Sequence, residues 1–186
     1  MSVEIARHFF TVAEYERMGE AGIFPEGARV ELIEGEIVEI SPIGMRHAAC
    51  VARLTQFLSQ MLQGRVVVWI QNPVRLADYS EPQPDVAVLQ PRADFYGQSL
   101  PTPADALLVI EVADTTLDYD RQIKVPLYAR AGVPEVWIVN LNDERIETYA
   151  DPVDGAYRTT ASAGRGDEVR ARGVASLRLS VAEVLG

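Results

Sequence analysis

The stretch that most constrains this chain runs Leu107-Leu108-Val109-Ile110-Glu111-Val112-Ala113-Asp114-Thr115-Thr116-Leu117-Asp118-Tyr119-Asp120-Arg121-Gln122-Ile123-Lys124. It opens as an unbroken apolar run of strand length, the pattern of a strand buried on both faces. Glu111 closes the run. Two threonines then open a helix, with Thr116 at the N-cap and Asp118 and Asp120 in the first turn, where the helix dipole favours carboxylates. Gly132 marks the end of the helix, and Pro126, which cannot donate a backbone hydrogen bond, is expected to kink it. Pro134-Glu135-Val136-Trp137-Ile138-Val139-Asn140 is the next strand. Strand, helix and strand in that order form a crossover unit, so the sheet is at least partly parallel and the fold class is α/β. A carboxylate at the end of a central strand and a lysine about two turns into the next helix can then meet at the sheet edge.

The other elements fit around this unit. Thr11-Val12-Ala13-Glu14 is a capping box that starts a short helix to about Met18. Two β-rich runs within residues 28–40 flank Glu34-Gly35 and read as a hairpin. Glu31 and Glu34 on that hairpin fit ordinary solvent-facing strand residues. A helix spans about Arg46 to Gln63, with Val51, Leu54, Leu58, Met61 and Leu62 as its apolar stripe. His47 shares the stripe and reads as a hydrogen-bonded, half-buried residue sooner than a ligand. Cys50 reads as a small core residue. Val66–Ile70 and Val74–Leu76 read as strands broken at Asn72-Pro73. Pro84 is tolerated at a strand start but not at its centre, so Asp85 begins the strand Asp85–Leu89. The loop from Pro91 to Pro103 is too long for a tight turn and is expected to form a flap over the site. Residues 146–149 and 156–159 form a hairpin around Asp154-Gly155.

A length of 186 residues is expected to make one domain, 1–186. Its lone cysteine excludes an internal disulfide and suits a reducing compartment. No apolar run reaches membrane-spanning length and the N-terminal residues lack the apolar core of a signal peptide, so a cytoplasmic protein with no membrane partner is expected. The net charge of -10, from 17 basic and 27 acidic side chains, argues against broad coating of nucleic acid. It suits a site that gathers divalent cations with carboxylates.

Three residues could carry chemistry: Asp85, Glu111 and Lys124. Carboxylates are hard oxygen ligands for Mg²⁺, which lowers the pKa of bound water and polarises a phosphoryl oxygen. A lysine can orient that water or offset charge in the transition state. The plainer alternative makes Glu111 a strand end meeting solvent and pairs Lys124 with Asp120, four residues back on its own helix.

The wider pattern decides between them. Pro84-Asp85 followed by Glu111-Val112-Ala113 resembles the PD-(D/E)XK pattern of restriction-endonuclease-like nucleases. The whole is similar to an uncharacterised branch of that superfamily, abundant in bacteria. Its features correspond here to Thr11 and Glu14-Tyr15, Glu31-Leu32-Ile33-Glu34-Gly35-Glu36, Ser41-Pro42 with His47, and Gln83-Pro84-Asp85. Further on they correspond to Thr115-Thr116, Asp120, Lys124, Tyr128 and Gly132-Val133-Pro134-Glu135-Val136-Trp137. The resemblance runs from about residue 9 to the C-terminus and implies a restriction-endonuclease-like mixed β-sheet flanked by helices. It also implies a Mg²⁺-dependent (or Mn²⁺-dependent) endonuclease acting on DNA. Asp85 and Glu111 would hold the metal, with the Val112 carbonyl and Glu31 as further contacts. The chain departs from the core motif at Ala113, where a lysine is expected. The branch it resembles displaces that lysine to the following helix, which maps to Lys124, with Tyr128 one turn on. A homodimer would supply the two sites that cutting both strands at once requires. The rival readings are a catalytically inactive binding or assembly module on the same scaffold, and a nuclease acting on RNA or nucleotides.

Overall fold

In the computed structural model, which describes residues 6–40 and 44–186, the crossover unit lies at the centre of a mixed six-stranded sheet. Its strands are β3 (Val67–Ile70), β4 (Val86–Leu89), β5 (Ala106–Ala113), β6 (Glu135–Asn140), β7 (Arg145–Val153) and β8 (Ala156–Gly164), in that spatial order. Only β5 and β6 pair in parallel. The strand alternation divides the core in two. Val86, Val88, Leu108, Ile110, Val112, Trp137 and Val139 face one cluster, which also holds Cys50, Val51, Leu54, Leu58 and Leu62 of helix α2 (Met45–Leu62). Ala87, Leu89, Val109, Ala113, Val136 and Ile138 face the other, packed on Val125, Leu127 and Tyr128 of the crossover helix. Cys50 lies wholly in the core, and burial pushes its thiol up to about 11, as befits an inert packing residue.

The capping box forms as read, opening α1 (Val12–Glu20). The hairpin also forms, as β1 (Val30–Ile33) and β2 (Glu36–Glu39), a separate two-stranded sheet. Its turn residues Glu34 and Gly35 take φ of 50° and 82°. Gly35 is required there, since a Cβ would stand 2.5 Å from Phe9 Cβ. The hairpin docks on the segment before β4, where Glu81 N–H donates to Leu32 O at 2.7 Å and Gly35 N–H to Tyr79 O at 2.7 Å. The Ser41-Pro42 pair lies outside the described residues. β9 (Glu168–Arg170), β10 (Arg178–Ser180) and α5 (Val181–Leu185) complete the chain.

Two expectations are corrected. Val74–Leu76 is not a strand: Val74 N–H donates to Pro82 O, Arg75 N–H to Pro101 O and Leu76 N–H to Ser80 O, three partners that no single neighbouring strand supplies. The loop of residues 91–103 is no flap. Tyr96 anchors it in the second cluster, 4% exposed, edge-on to Trp69 and under the Arg92 guanidinium, and none of its residues lines the candidate site. Pro126 lies in a helix that is not regular. The crossover helix is built as α3 (Leu117–Tyr119), a π-helical turn (Asp120–Lys124) and α4 (Val125–Ala131), with Pro126 two residues after the wider turn. Gly132 ends α4 in the left-handed conformation as expected, at φ 82°.

The Glu135-x-Trp137 pair within residues 132–137 is structural. Trp137 is fully buried and its indole N–H donates to Glu135 Oε1 at 2.7 Å, while Arg172 N–H donates to Oε2 at 2.7 Å. Trp137→Phe leaves a buried carboxylate oxygen short of a donor and a gap beside it. It is expected to cost about 2 kcal/mol or more in urea unfolding. A loss within experimental error would contradict this role.

Candidate active site

The antiparallel register explains why Asp85 and Glu111 meet. Val86 pairs with Ile110, and one further step sets Asp85 opposite Glu111. By parity both side chains leave the sheet on the face that carries the crossover helix. β4 proper begins only at Val86, after Pro84, so the ladder changes there from backbone to side chain. Val112 N–H donates to Asp85 Oδ2 at 2.9 Å, and Asp85 N–H reaches Glu111 Oε2 at 3.4 Å.

Lys124 comes to the same place from the helix. Its ammonium lies 3.2 Å from Glu111 Oε1 and donates to Glu31 Oε1 at 3.0 Å. The pairing with Asp120 weighed above is not made as an ion pair; Asp120 instead accepts from Thr116 Oγ1 at 2.7 Å. Thr116 therefore occupies the N-cap position, but its side chain does not cap. The π-helical turn places Asp120 and Lys124, both buried, at its two ends, and such turns recur at functional sites. Ala113, two residues beyond Glu111 on the same strand face, packs in the cluster with Val125 and Tyr128. The ammonium beside Glu111 thus comes from the helix. Tyr128 is fully buried and its hydroxyl donates to Glu111 Oε1 at 2.7 Å.

Glu31 is not the solvent-facing residue its strand suggested. It is 1% exposed and accepts from Gln83 N–H at 2.7 Å, whereas Glu34 is exposed. His47 is hydrogen-bonded and largely buried, as read, but its partner is Asp85: Nε2 stands 3.0 Å from Oδ2. Gln71 Nε2 donates to Asp85 Oδ1 at 3.2 Å. Gln71 carried no signal in the sequence. Glu31, His47, Asp85, Glu111, Asp120 and Lys124 border one cavity of about 370 Å³, lined also by Arg29, Thr116 and Tyr119.

The electrostatics are unusual for a buried cluster. Glu31, Asp85, Glu111 and Asp120 are all buried beside one buried ammonium, Lys124. Fully ionised, four carboxylates against one ammonium leave a surplus of three negative charges. Burial pushes the Glu111 carboxyl up to about 8; Lys124 opposes this, while Asp120, Asp85 and Glu31 add to it. Burial likewise raises Asp120 to about 6 against Lys124 and Thr116. Burial alone would raise Asp85 too, but hydrogen bonds from His47, Val112 and Gln71 hold it below the usual carboxylate range. Burial would lower Lys124, yet the surrounding carboxylates hold its ammonium well above the ordinary value.

This donor set fits a divalent cation. It offers hard oxygens and a charge deficit that one ammonium does not fill. Among the described residues no three acidic, histidine or cysteine side chains already converge as a metal cage. The oxygens bond instead to Lys124, Tyr128, His47 and backbone N–H groups. A carboxylate offers about four lone-pair sites, so Asp85 and Glu111 keep capacity for a further partner.

A mixed sheet with a carboxylate pair at a strand end and a lysine facing it is the architecture of the restriction-endonuclease-like superfamily. The chain belongs to the Uma2 family, described as "Putative restriction endonuclease", whose model matches residues 12–182. It is also similar to the crystal structure of "a putative nuclease belonging to DUF820" from Anabaena variabilis. That match has a TM-score of 0.73 at 17% identity and covers 95% of this chain and 97% of that one. No curated protein is significantly similar in sequence. No helix among the described residues is long and apolar enough to cross a membrane.

Proposed function

We propose that the chain is a Mg²⁺-dependent endonuclease (Mn²⁺ serving as an alternative) that hydrolyses phosphodiester bonds in DNA. The observation that carries this reading is the surplus of buried carboxylates around Lys124, lining one cavity of about 370 Å³. Asp85 and Glu111 would hold the metal, with Glu31 and the Val112 carbonyl completing the protein's share. When bound, the cation supplies a water of lowered pKa and polarises the phosphoryl oxygen.

The protein's own groups do the rest. His47, Gln71 and the Val112 N–H fix the Asp85 carboxylate in its ionised form. Tyr128 fixes Glu111 from below. Lys124, held between Glu31 and Glu111, orients the attacking water and offsets charge as it grows on the phosphate. The acidic surroundings repel phosphate until a cation reduces the surplus, so substrate binding and metal binding are coupled. Two copies of the chain would bring two such cavities to a duplex. The inactive-module alternative draws on the acidic balance and on Ala113. The retention of Asp85, Glu111 and Lys124 around one cavity weighs against it.

The test is nicking of supercoiled plasmid in Mg²⁺ or Mn²⁺ by the wild type beside Asp85→Ala, Glu111→Ala and Lys124→Ala. Metal-dependent nicking lost in all three supports the reading. Nicking by the wild type that persists in Lys124→Ala removes the role given to that lysine. A wild type that neither cuts nor binds metal by calorimetry would move the assignment to the inactive module.

The charge surplus also predicts a pH response. Glu111 and Asp120 have folded-state values raised above their ordinary 4.5 and 3.8. The folded protein therefore holds more protons than the unfolded chain between those values and about 8. Stability from these groups is complete at the acid end and is lost as pH rises through this window. Asp85 has the opposite sign, but its depressed value confines its effect to pH below 3.8. The Tm of metal-free protein is expected to fall between about pH 4.5 and 8. Added Mg²⁺ or Mn²⁺ is expected to restore it most at the alkaline end, because the cation binds ionised carboxylates. Scanning fluorimetry across pH with and without metal checks this. A flat profile without metal response would contradict it.

A further inference from the structure

Among the described residues, two buried side-chain polar atoms lack a hydrogen-bond partner: His47 Nδ1 and Tyr119 Oη. Both residues line the same cavity as Asp85, Glu111 and Lys124. Buried polar groups are almost always satisfied, so two unpartnered atoms on residues of one cavity call for a ligand-based explanation. His47 is already in use through its other ring nitrogen, which holds Asp85. Tyr119 has no such use.

Tyr119 is the last residue of α3, immediately before the π-helical turn that sets Asp120 and Lys124. Its hydroxyl feels the charges of Glu31, Lys124, Asp120 and Glu111. Tyr119 shares the cavity lining with these groups, and its hydroxyl bonds to none of them. A phenylalanine would fill the same space without burying an unpaired donor. The partner that repays the tyrosine must come from outside the protein. An ionised acceptor entering this cavity would make the stronger bond to it.

We infer that Tyr119 is a substrate-contacting residue whose hydroxyl donates a hydrogen bond to a non-bridging oxygen of the phosphate received by the cavity. An anionic phosphate oxygen is the acceptor the cavity is read to receive, and hydrogen bonds to ionised acceptors are roughly twice as strong as neutral ones. The inference rests on the phosphodiester reading and adds to it a contact that the strand-end carboxylates and Lys124 do not make.

The test is Tyr119→Phe in the full chain, with three readouts. The first is Tm without metal or DNA. The second is affinity for a short fluorescein-labelled DNA duplex in Ca²⁺, and the third is plasmid nicking in Mg²⁺. The expected result is a Tm unchanged or raised by a few degrees, together with about a tenfold or greater loss in duplex affinity, nicking rate or both. That combination is the mark of a hydroxyl kept for a ligand, since a hydroxyl satisfied inside the protein lowers Tm when removed. A Tm lowered by several degrees overturns the inference whatever the activity. So does a variant that binds and cuts like the wild type, in which case the nuclease reading stands and only Tyr119 loses its role. A wild type that neither binds nor cuts DNA overturns the nuclease reading and this contact with it.

Discussion

Glu111→Gln is expected to lower the metal-dependent cleavage rate by about a thousandfold or more, since it removes an ionised ligand and leaves the cavity's shape intact. The amide oxygen can still accept from the Tyr128 hydroxyl, and Lys124 keeps Glu31 at 3.0 Å, so the fold survives the change. Stability should move the other way. Glu111 is the carboxyl that burial pushes up to about 8, so ionising it is costly to the folded state. The neutral amide avoids that cost. Metal-free Tm should therefore equal or exceed that of the wild type above about pH 8, and the fall in Tm with rising pH should flatten. The rise in Tm on adding Mn²⁺ should disappear. Loss of activity with gain of metal-free stability identifies a group kept for function. A variant that is both inactive and strongly destabilised at pH 8 would instead mark Glu111 as a structural partner of Lys124.

Lys124→Met is expected to act on both properties in the same direction. The side chain is 6% exposed and is the buried cation that Glu31 and Glu111 share. Methionine fits the space but leaves those carboxylates without their counter-charge. Breaking a buried ion pair from one side costs about 3–5 kcal/mol. The loss should appear in urea unfolding near neutral pH and shrink at acid pH, where the orphaned carboxylates can take up protons. The cleavage rate should fall about a hundredfold or more through the lost positioning of water and phosphate. Added Mn²⁺ should recover part of the stability, since a cation can replace the missing ammonium charge. A Lys124→Met protein as stable as the wild type at neutral pH would show that the carboxylates are neutral or relaxed to solvent, and the charge argument would fail.

The chain's own pattern revealed the sheet and the carboxylate pair because both depend on short-range rules. Pro84 sets Asp85 at the start of one strand and the apolar run sets Glu111 near the end of the next, while the observed register of β4 on β5 brings the two side by side. The crossover from β5 to β6 fixes which helix covers them. Spacing along the crossover helix brings Lys124 to the sheet edge, and family resemblance gives it a catalytic role. On spacing alone the pairing with Asp120 is the plainer reading; in the structure Asp120 bonds to Thr116 and Lys124 to Glu31 and Glu111, across a π-helical turn that no propensity reveals. Glu31 read as a surface residue because strand alternation says nothing about what docks on a hairpin. Its burial follows from backbone bonds between residues far apart in sequence, such as Glu81 N–H to Leu32 O. His47 was read correctly as hydrogen-bonded, but its partner lies 38 residues away on another element. The length of the loop of residues 91–103 suggests mobility, whereas the buried ring of Tyr96 pins it.

The central claim is that Asp85 and Glu111 form the cation site of a nuclease. It is tested most directly by anomalous diffraction from crystals of the metal-free protein soaked in Mn²⁺. The expected result is an anomalous peak in the cavity bounded by Asp85, Glu111 and Glu31, absent from crystals of Glu111→Gln treated alike. No peak in that cavity, or a peak unchanged in Glu111→Gln, would contradict the account.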